Sequence, residues 1–167
     1  MAVRVAINGF GRIGRLVLRA ILESRRDDIQ VVGINDLGST EMNAHLLKYD
    51  SVHGILTNDI NVDGDIMEAG AGPIKVTSER DPINLPWAEL GVEVAMECTG
   101  LFVDRKNASK HLDAGAHKVL ISAPGKDSDN TIVYGVNHET LTVEHNIVSN
   151  ASCTTNCLAP VADVLNK

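Results

Sequence analysis

The order of apolar and polar residues along the chain predicts strands and helices that alternate. Residues 3–7 form an apolar, β-prone run that leads directly into a glycine-rich turn, and residues 16–21 continue with apolar positions at helical spacing. This alternation is typical of a parallel sheet covered by helices on both faces. Further strands are predicted at residues 29–35, 92–97, 118–122, 131–134 and 146–149, and further helices at 41–47, 104–114 and 153–167.

The central part of the chain departs from this alternation. Three short strand-like runs occupy residues 58–62, 66–69 and 74–77, with Asp63-Gly64 and a Gly-Ala-Gly-Pro segment between them. Turn residues of this kind join antiparallel strands. We therefore predict an α/β fold with a doubly wound, mostly parallel sheet and a small antiparallel excursion around residues 58–77.

A glycine motif lies at the first strand-to-helix turn. Gly9, Gly11 and Gly14 have the Gly-x-Gly-x-x-Gly spacing of a dinucleotide-binding turn. In such a turn Gly9 permits the tight bend, Gly11 lets a pyrophosphate approach the backbone, and Gly14 lets the helix pack close to the strand. The free N–H groups and the positive dipole of the helix start then bind the phosphates. The motif predicts a Rossmann-like, dinucleotide-binding domain.

Charged residues near this motif indicate which dinucleotide binds. Arg12 and Arg15 lie in the first helical turn, where a cation opposes the helix dipole unless an anion binds there; the alternative is a tight turn with two solvated arginines. Asp36 follows the second predicted strand, 22 residues beyond Gly14, where a carboxylate can accept hydrogen bonds from the adenosine ribose. Because its charge would repel a 2′-phosphate and no Arg or Lys follows closely, the sequence favours NAD over NADP.

The composition excludes several classes of partner. The 167 residues are 44% hydrophobic and their mean hydropathy is near zero, as in a soluble globular domain. A net charge of −7 and an aromatic content of 3% argue against nucleic acid as the main partner. No apolar run approaches the roughly 20 residues of a membrane helix, and three cysteines, an odd number, fit free thiols in a reducing compartment. We expect a cytoplasmic protein without a membrane or nucleic-acid partner.

A cysteine motif connects the last predicted strand to the last predicted helix. Its sequence, Ser-Asn-Ala-Ser-Cys-Thr-Thr-Asn-Cys over residues 149–157, puts Cys153 at the helix N-terminus. The dipole and free N–H groups there favour a thiolate over a thiol and so raise the nucleophilicity of the sulfur. Ser152 and Thr154 flank it with hydroxyls that can hold an anion beside those amides.

The spacing of the cysteines permits other interpretations. Cys153 and Cys157 are four residues apart on one predicted helix, which also admits a disulfide or two metal ligands. A structural zinc site needs four ligands and no second pair has suitable spacing, so no metal site is predicted.

We expect Cys98 and Cys157 to be buried thiols, Pro160 to lie in the first turns of the helix, and Trp87 to be a packing residue. The six histidines are expected to be surface or structural residues.

Together these motifs resemble the phosphorylating glyceraldehyde-3-phosphate dehydrogenase family. The resemblance rests on Ala-Ser-Cys-Thr-Thr-Asn-Cys over residues 151–157, Ile-Asn-Gly-Phe-Gly-Arg-Ile-Gly-Arg over 7–15 and Asn-Asp-Leu over 35–37. Further similar segments are Tyr-Asp-Ser-Val-His-Gly over 49–54, Glu-Cys-Thr-Gly-Leu-Phe over 97–102 and Ile-Ser-Ala-Pro over 121–124. The resemblance covers essentially the whole chain.

The resemblance implies roles for individual positions. Cys153 is implied to be the nucleophile that attacks an aldehyde, with Ser152 and Thr154 holding the substrate phosphate or inorganic phosphate. Arg12 and Ile13 would contact the pyrophosphate of NAD, Asp36 the ribose and Arg80 the adenine. The full set of implied cofactor-binding residues is Asn8, Gly9, Gly11, Arg12, Ile13, Gly14, Asp36, Arg80, Thr99, Gly100, Phe102 and Ser122.

The implied activity is the NAD-dependent oxidative phosphorylation of D-glyceraldehyde 3-phosphate to 1,3-bisphosphoglycerate, a step of glycolysis and gluconeogenesis, through a cysteine thioester. Its partners would be the aldehyde phosphate, inorganic phosphate and further copies of the chain in a tetramer. Two alternatives stay open. One is erythrose-4-phosphate dehydrogenase, which shares the cysteine motif, and the other is a cofactor-binding or redox-sensing interaction module.

The resemblance also implies a division into domains. Residues 1–152 would form the NAD-binding domain, and residues 153–167 a cysteine-bearing helix that leads to a catalytic domain beyond the end of this chain. The family's acid/base histidine lies in that second domain, and the last predicted helix has no stop signal. We expect the 167-residue chain alone to bind NAD weakly, to self-associate through exposed apolar surface and to show little or no dehydrogenase turnover.

Overall fold

A computed structural model, which describes residues 2–167, contains four α-helices and eleven strands within that range. The helices are α1 (Arg12–Glu23), α2 (Thr40–Lys48), α3 (Arg105–Asp113) and α4 (Cys153–Asn166). The strands are β1 (Val3–Asn8), β2 (Ile29–Asn35), β3 (Tyr49–Asp50), β4 (Gly54–Ile55), β5 (Asn61–Asp63), β6 (Ile66–Glu68), β7 (Pro73–Thr77), β8 (Val94–Glu97), β9 (Lys118–Ile121), β10 (Asn130–Thr131) and β11 (Ile147–Ser149).

Nine of these strands form one sheet in the order β10-β11-β9-β8-β1-β2-β7-β6-β5. The strands from β10 to β7 are parallel, and β6 and β5 extend the sheet by antiparallel pairing. The chain passes from β1 outward to β2 and β7, then returns to pair β8 on the other side of β1. This reversal creates a topological switch point between β1 and β8, where ligands bind at the carboxyl ends of the strands. The predicted doubly wound fold, with its antiparallel excursion, is confirmed.

Helices and loops cover both faces of the sheet because successive residues of each strand point to opposite faces. On one face Ile7 and Ile34 pack against α1 and α2 through Leu18 and Leu47. On the other face the segment that contains Trp87 packs against Ala6 and Ala95. There α3 lies over β9 and β11, with Ala108 packed against Val119. The expectation that Trp87 is a packing residue is confirmed, since its side chain is fully buried.

Several local predictions differ from the structure. The hairpin of β3 and β4 was not predicted, because two-residue strands carry no periodic signal. Only Asn130–Thr131 is a strand where residues 131–134 were expected to form one. Residues 58–60 likewise lie outside β5.

Helix α4 contradicts two expectations. Pro160 is its eighth residue, counted from Cys153, and not a residue of the first turns. A proline there lacks the N–H that would bond to the carbonyl oxygen four residues earlier. Cys157 is exposed and not buried, because no residue of α4 is buried against the domain.

Two apolar surfaces are exposed, one on α4 and one beside α1. On α4, Leu158 is 67% and Leu165 is 82% exposed, and Val161 and Val164 are exposed beside them. A groove of about 630 Å³ lies beside α1 on the sheet face that Val5, Val94, Met96 and Leu120 help to line. Contiguous apolar surface of this kind is typical of contact with further protein. None of the helices in residues 2–167 is long and apolar enough to cross a membrane.

Candidate functional site

The glycine-rich turn between β1 and α1 is shaped by close backbone packing. Gly9 has a φ of +89°, and a Cβ there would lie 2.7 Å from the backbone nitrogen of Thr99, in the loop after β8. A Cβ on Gly14 would overlap the carbonyl oxygen of Gly9. Gly11 differs, because a Cβ there would have no other atom within 4 Å. The turn is therefore packed behind Gly9 and Gly14 and open in front of Gly11, as a pyrophosphate approaching the backbone requires.

A cleft of about 370 Å³ opens in front of this turn, at the carboxyl ends of β1, β2 and β8. Seven of the predicted cofactor-binding residues line it, namely Asn8, Gly9, Gly11, Asp36, Arg80, Thr99 and Phe102. The other five, which do not line it, are Arg12, Ile13, Gly14, Gly100 and Ser122. The cleft thus brings together residues from four separate segments of the sequence, and the residues present fit a bound dinucleotide.

The cleft also contains residues that the sequence did not predict as site residues, namely Asn35, Leu37, Glu79, Cys98 and Leu101. Four of them adjoin predicted residues within the segments 35–37 and 97–102, so their position in those motifs could have indicated them. Glu79 adjoins the predicted Arg80 but belongs to none of the quoted motifs. It reaches the cleft only because the loop after β7 passes the end of β2.

Asp36 occupies the position expected of a ribose-binding carboxylate, directly after β2. One carboxylate oxygen accepts a hydrogen bond from the Phe10 backbone amide at 2.9 Å, and the other accepts one from the Gly38 amide at 2.9 Å. Each oxygen keeps a second lone pair for a further donor. The carboxylate therefore holds the glycine-rich turn and still presents acceptors to the cleft.

The arginines of the first helical turn have partners within the protein. Arg12 forms an ion pair of 2.9 Å with Asp50, on the hairpin of β3 and β4. Hydrogen bonds from the His53 and Val52 backbone amides, together with the charge of Arg12, lower the pKa of Asp50 to about 2. Arg15 donates to the Phe10 carbonyl oxygen at 2.8 Å. The ion pair accounts for the charge of Arg12 without a bound anion, whereas the buried Nε of Arg15 has no hydrogen-bond partner among the described residues. The arginines alone therefore do not demonstrate a phosphate site.

The turn that precedes Cys153 is held by the buried hydroxyl of Ser149. This hydroxyl donates to the Ala123 carbonyl oxygen at 2.7 Å and accepts from the Gly125 and Ala151 amides at 2.9 and 3.1 Å. Ala151 has a φ of +58°, a left-handed conformation that costs a non-glycine residue about 1 kcal/mol or more. Ser149 therefore stabilises a strained turn that sets the direction in which α4 begins.

Cys153 is the first residue of α4 and is exposed. Ser152 caps the helix, its hydroxyl oxygen accepting from the Thr155 amide at 3.0 Å and lying 2.9 Å from the Thr154 hydroxyl. Cys153 therefore begins the helix between two residues that carry hydroxyls, at a helix start, where the dipole favours negative charge.

The cysteine turn and the glycine turn lie at the same edge of the sheet. Parallel pairing relates Asn8 to Glu97, Glu97 to Ile121, and Ile121 to Ser149. The ends of β1 and β11 are thus three strand spacings apart, about 14 Å. A ligand bound at the glycine turn and extended along this edge reaches the start of α4.

Cys98, the second thiol near the cleft, is half-buried and not fully buried as expected. Burial raises its pKa to about 11, and a hydrogen bond with Ser122 offsets this only in part. A thiol of this kind is unreactive at neutral pH. Within residues 2–167, no three His, Cys, Asp or Glu side chains converge as a metal site would require.

A larger groove, about 680 Å³, lies at the opposite, amino-terminal edge of the sheet, beside Arg25, Arg26 and Asp27. None of the predicted site residues lines it. In doubly wound sheets ligands bind at the carboxyl edge, so the smaller cleft is the candidate site.

Comparisons with known proteins agree with this geometry. A family model described as "Glyceraldehyde 3-phosphate dehydrogenase, NAD binding domain" matches residues 3–105. The chain is 64% identical over 166 residues to a glyceraldehyde-3-phosphate dehydrogenase of Xanthobacter flavus, covering 99% of this chain and 50% of that protein. It is 61% identical over 166 residues to one from Cereibacter sphaeroides, with 99% and 49% covered. It is 55% identical over 168 residues to one from Geobacillus stearothermophilus, with 100% and 50% covered. The chain spans about half the length of the curated relatives it matches.

Proposed function

Because the chain belongs to the glyceraldehyde-3-phosphate dehydrogenase family and carries its NAD-binding domain, we propose that it takes part in the NAD-dependent oxidative phosphorylation of D-glyceraldehyde 3-phosphate to 1,3-bisphosphoglycerate. One observation carries the proposal. An exposed cysteine begins α4 at the same edge of the sheet as a cleft formed by the glycine-rich turn. A cofactor and a nucleophile at one edge are what an oxidation through a thioester requires.

NAD is held, in this proposal, by the residues that line the cleft. The backbone at Gly11 and the N-terminus of α1 bind the pyrophosphate, and Asp36 accepts hydrogen bonds from the adenosine ribose. Arg80 would contact the adenine, Phe102 lines the same cleft, and Ser122, directly after β9, would line the remaining path of the cofactor. Bound NAD supplies the hydride acceptor for oxidation of the aldehyde.

Cys153 supplies the covalent chemistry. Its thiolate sulfur attacks the aldehyde carbon and forms a tetrahedral thiohemiacetal, whose oxidation leaves the acyl group on the sulfur as a thioester. An oxygen of inorganic phosphate then attacks the thioester carbonyl carbon, which breaks the carbon–sulfur bond and returns the thiolate. Ser152 and Thr154 hold the phosphate groups beside the α4 amides.

The division of labour along the chain is part of the proposal. Residues 1–152 bind NAD, and residues 153–167 carry the nucleophile towards a catalytic domain that provides the acid/base histidine. The exposed apolar face of α4 and the groove beside α1 support contact with further protein, in the same chain or in a tetramer. The 167-residue chain alone is then expected to bind NAD, to self-associate and not to turn over.

The test compares NADH formation by the intact protein with that by the 167-residue chain, each given D-glyceraldehyde 3-phosphate, inorganic phosphate and NAD. Turnover that requires all three substrates is expected for the intact protein alone, while both forms bind NAD in a calorimetric titration. An intact protein that forms no NADH, or that needs no phosphate, would contradict the proposed reaction. Robust turnover by the 167-residue chain would contradict the proposed division into domains.

A further inference from the structure

A chain of polar side chains runs beneath the cleft, at the carboxyl edge of the sheet. Its members are Trp87, His111, Glu97, Asn8 and Asn35, and each is at most 4% exposed. They come from five separate segments: the loop before β8, α3, β8, β1 and β2. Buried polar groups need hydrogen-bond partners, and here the partners determine which way every hydrogen bond points.

At the β2 end, the backbone of Glu79 fixes which group donates and which accepts in each hydrogen bond. Its amide donates to Asn35 Oδ1 at 2.8 Å, and its carbonyl oxygen accepts from Asn35 Nδ2 at 2.8 Å. Since a backbone amide only donates and a carbonyl only accepts, the Asn35 amide has one orientation. Asn35 Nδ2 also donates to Asn8 Oδ1 at 2.7 Å, and Asn8 Nδ2 therefore donates to Glu97 Oε2 at 2.6 Å.

The direction is set at the other end by the indole of Trp87. Its Nε1–H, which can only donate, lies 3.0 Å from His111 Nδ1. His111 Nδ1 must therefore accept, and the ring carries its proton on Nε2. That proton is donated to Glu97 Oε2 across 3.0 Å. His111 is thus a neutral donor to Glu97 and not its cationic partner.

The second oxygen of Glu97 receives donors from the loop after β8. The Thr99 amide donates to Oε1 at 2.7 Å, and the Thr99 hydroxyl is also bonded to Oε1. The Leu101 amide donates to that hydroxyl oxygen at 3.0 Å, which leaves the hydroxyl proton free to point at Glu97. Three N–H groups, those of the Asn8 side chain, the His111 ring and the Thr99 backbone, can only donate to the carboxylate, and the Thr99 hydroxyl is its fourth partner. These donors favour the ionised form of Glu97, and four hydrogen bonds replace its lost hydration.

We propose that Glu97 is a positioning residue whose buried carboxylate holds Asn8 and the Thr99 loop in the arrangement that binds NAD. This rests on the proposed NAD-binding function. Asn8, Asn35 and Thr99 line the cleft, whereas Glu97 lies behind them without contact to it. Thr99 is also the residue against which Gly9 packs. The Glu97 carboxylate thereby connects the glycine-rich turn, the end of β2 and the loop after β8 along one side of the cleft.

Glu97→Gln tests the role of the charge in the intact protein. The glutamine has the same shape, but one of its two oxygens is replaced by an NH₂ group, which is a donor. In one orientation this group faces the Thr99 amide, and in the other it faces the donors of Asn8 and His111. Two donors therefore face each other in either orientation. We expect NAD to bind about tenfold or more weakly in a calorimetric titration of the folded variant. Met67→Ala, in a fully buried position on β6 away from the cleft, is the control for destabilisation and is expected to lower the melting temperature without changing NAD affinity.

Two further measurements keep the test decisive. The Glu97→Asp variant keeps the charge on a shorter side chain. We expect its affinity for NAD to lie between those of the wild type and Glu97→Gln. If Glu97→Gln does not fold, a Glu97→Asp variant with wild-type affinity overturns the proposal. Nitrogen-15 NMR of the wild type should find His111 neutral and protonated on Nε2, and a proton on Nδ1 would overturn the assigned direction. A wild-type protein that does not bind NAD overturns the proposed function as well. If the wild type binds and folded Glu97→Gln binds equally tightly, only this inference fails.

Discussion

The Asp36 carboxylate and the Phe10 backbone amide form a hydrogen bond of 2.9 Å, which joins the end of β2 to the glycine-rich turn. The residue proposed to bind the ribose therefore also holds the turn proposed to bind the pyrophosphate. Recognition of these two parts of the dinucleotide is coupled through one side chain. A change at Asp36 is expected to affect both affinity and the choice between dinucleotides.

Asp36→Asn keeps an acceptor for one backbone amide and removes the negative charge. We expect NAD affinity to fall by about tenfold, because hydrogen bonds to a charged group are the stronger ones. NADP affinity should rise relative to that of NAD, since its 2′-phosphate is no longer repelled. Calorimetric titration with both dinucleotides gives the ratio of dissociation constants, and an unchanged ratio would contradict the proposed ribose contact.

Gly14→Ala and Gly11→Ala form a matched pair within one turn. A Cβ at position 14 overlaps the Gly9 carbonyl oxygen, whereas a Cβ at position 11 meets no atom within 4 Å. Gly14→Ala is expected to lower the free energy of unfolding by about 1–3 kcal/mol or more. Gly11→Ala should leave stability nearly unchanged and weaken NAD binding, because the methyl group stands where the pyrophosphate approaches. Denaturant unfolding and NAD titration of both variants test the pair, and equal effects on stability would contradict this account.

Cys153→Ser replaces the proposed nucleophile with a poorer one of similar size. We expect dehydrogenase turnover to fall by at least about 10³-fold with little change in NAD affinity, because Cys153 does not line the cleft.

Rates of alkylation of the wild type provide an independent check. Cys153 should react faster than Cys157, which is exposed one turn further along α4, and Cys98 should react slowest because burial raises its pKa to about 11. Faster reaction at Cys157 would argue against an activated Cys153.

Asp129 is expected to make stability depend on acid pH. Hydrogen bonds from the Ile147 amide, from Arg105 and from the Asn146 amide lower its pKa to about 2, against about 3.9 in an unfolded chain. A lowered pKa stabilises the folded state above about pH 4, and this contribution is lost as the pH falls towards 2. Between about pH 4 and pH 2, the wild type should take up about one proton more on unfolding than the Asp129→Asn variant does. Unfolding curves between pH 5 and 2 measure the slope, and an identical slope in the variant would contradict the assignment.

The sequence was sufficient for the main architecture because the longer parallel strands, such as β1, β2 and β8, are mostly apolar runs that end in a glycine or polar turn. The run at residues 29–35, for example, is a strand over those same residues. Features that depend on tertiary contact were not predictable. Pro160 lies in the middle of α4, and Cys157 on the same helix is exposed, because α4 extends away from the domain. No local pattern indicates whether a helical face finds a covering surface.

The candidate site was predictable where a motif is local, as at Gly9, Gly11 and Asp36. It was not predictable where function depends on register. Asn8, Asn35 and Glu97 stand side by side only because three strands pair in one register, and His111 reaches Glu97 from a separate helix. The sequence classed His111 with the surface and structural histidines, which agrees with its burial but gives no indication of its partners.

The hydrogen bonds beneath the cleft have one permitted direction, from the Glu79 backbone and the Trp87 indole inward to Glu97. An amide or ring that reverses its polarity at one position meets a group of the same polarity at the next. Substitutions at positions 8, 35, 97 and 111 are therefore expected to occur together in related sequences and not independently of one another. These four side chains should be inherited as a unit, although they are scattered over more than 100 residues of the chain.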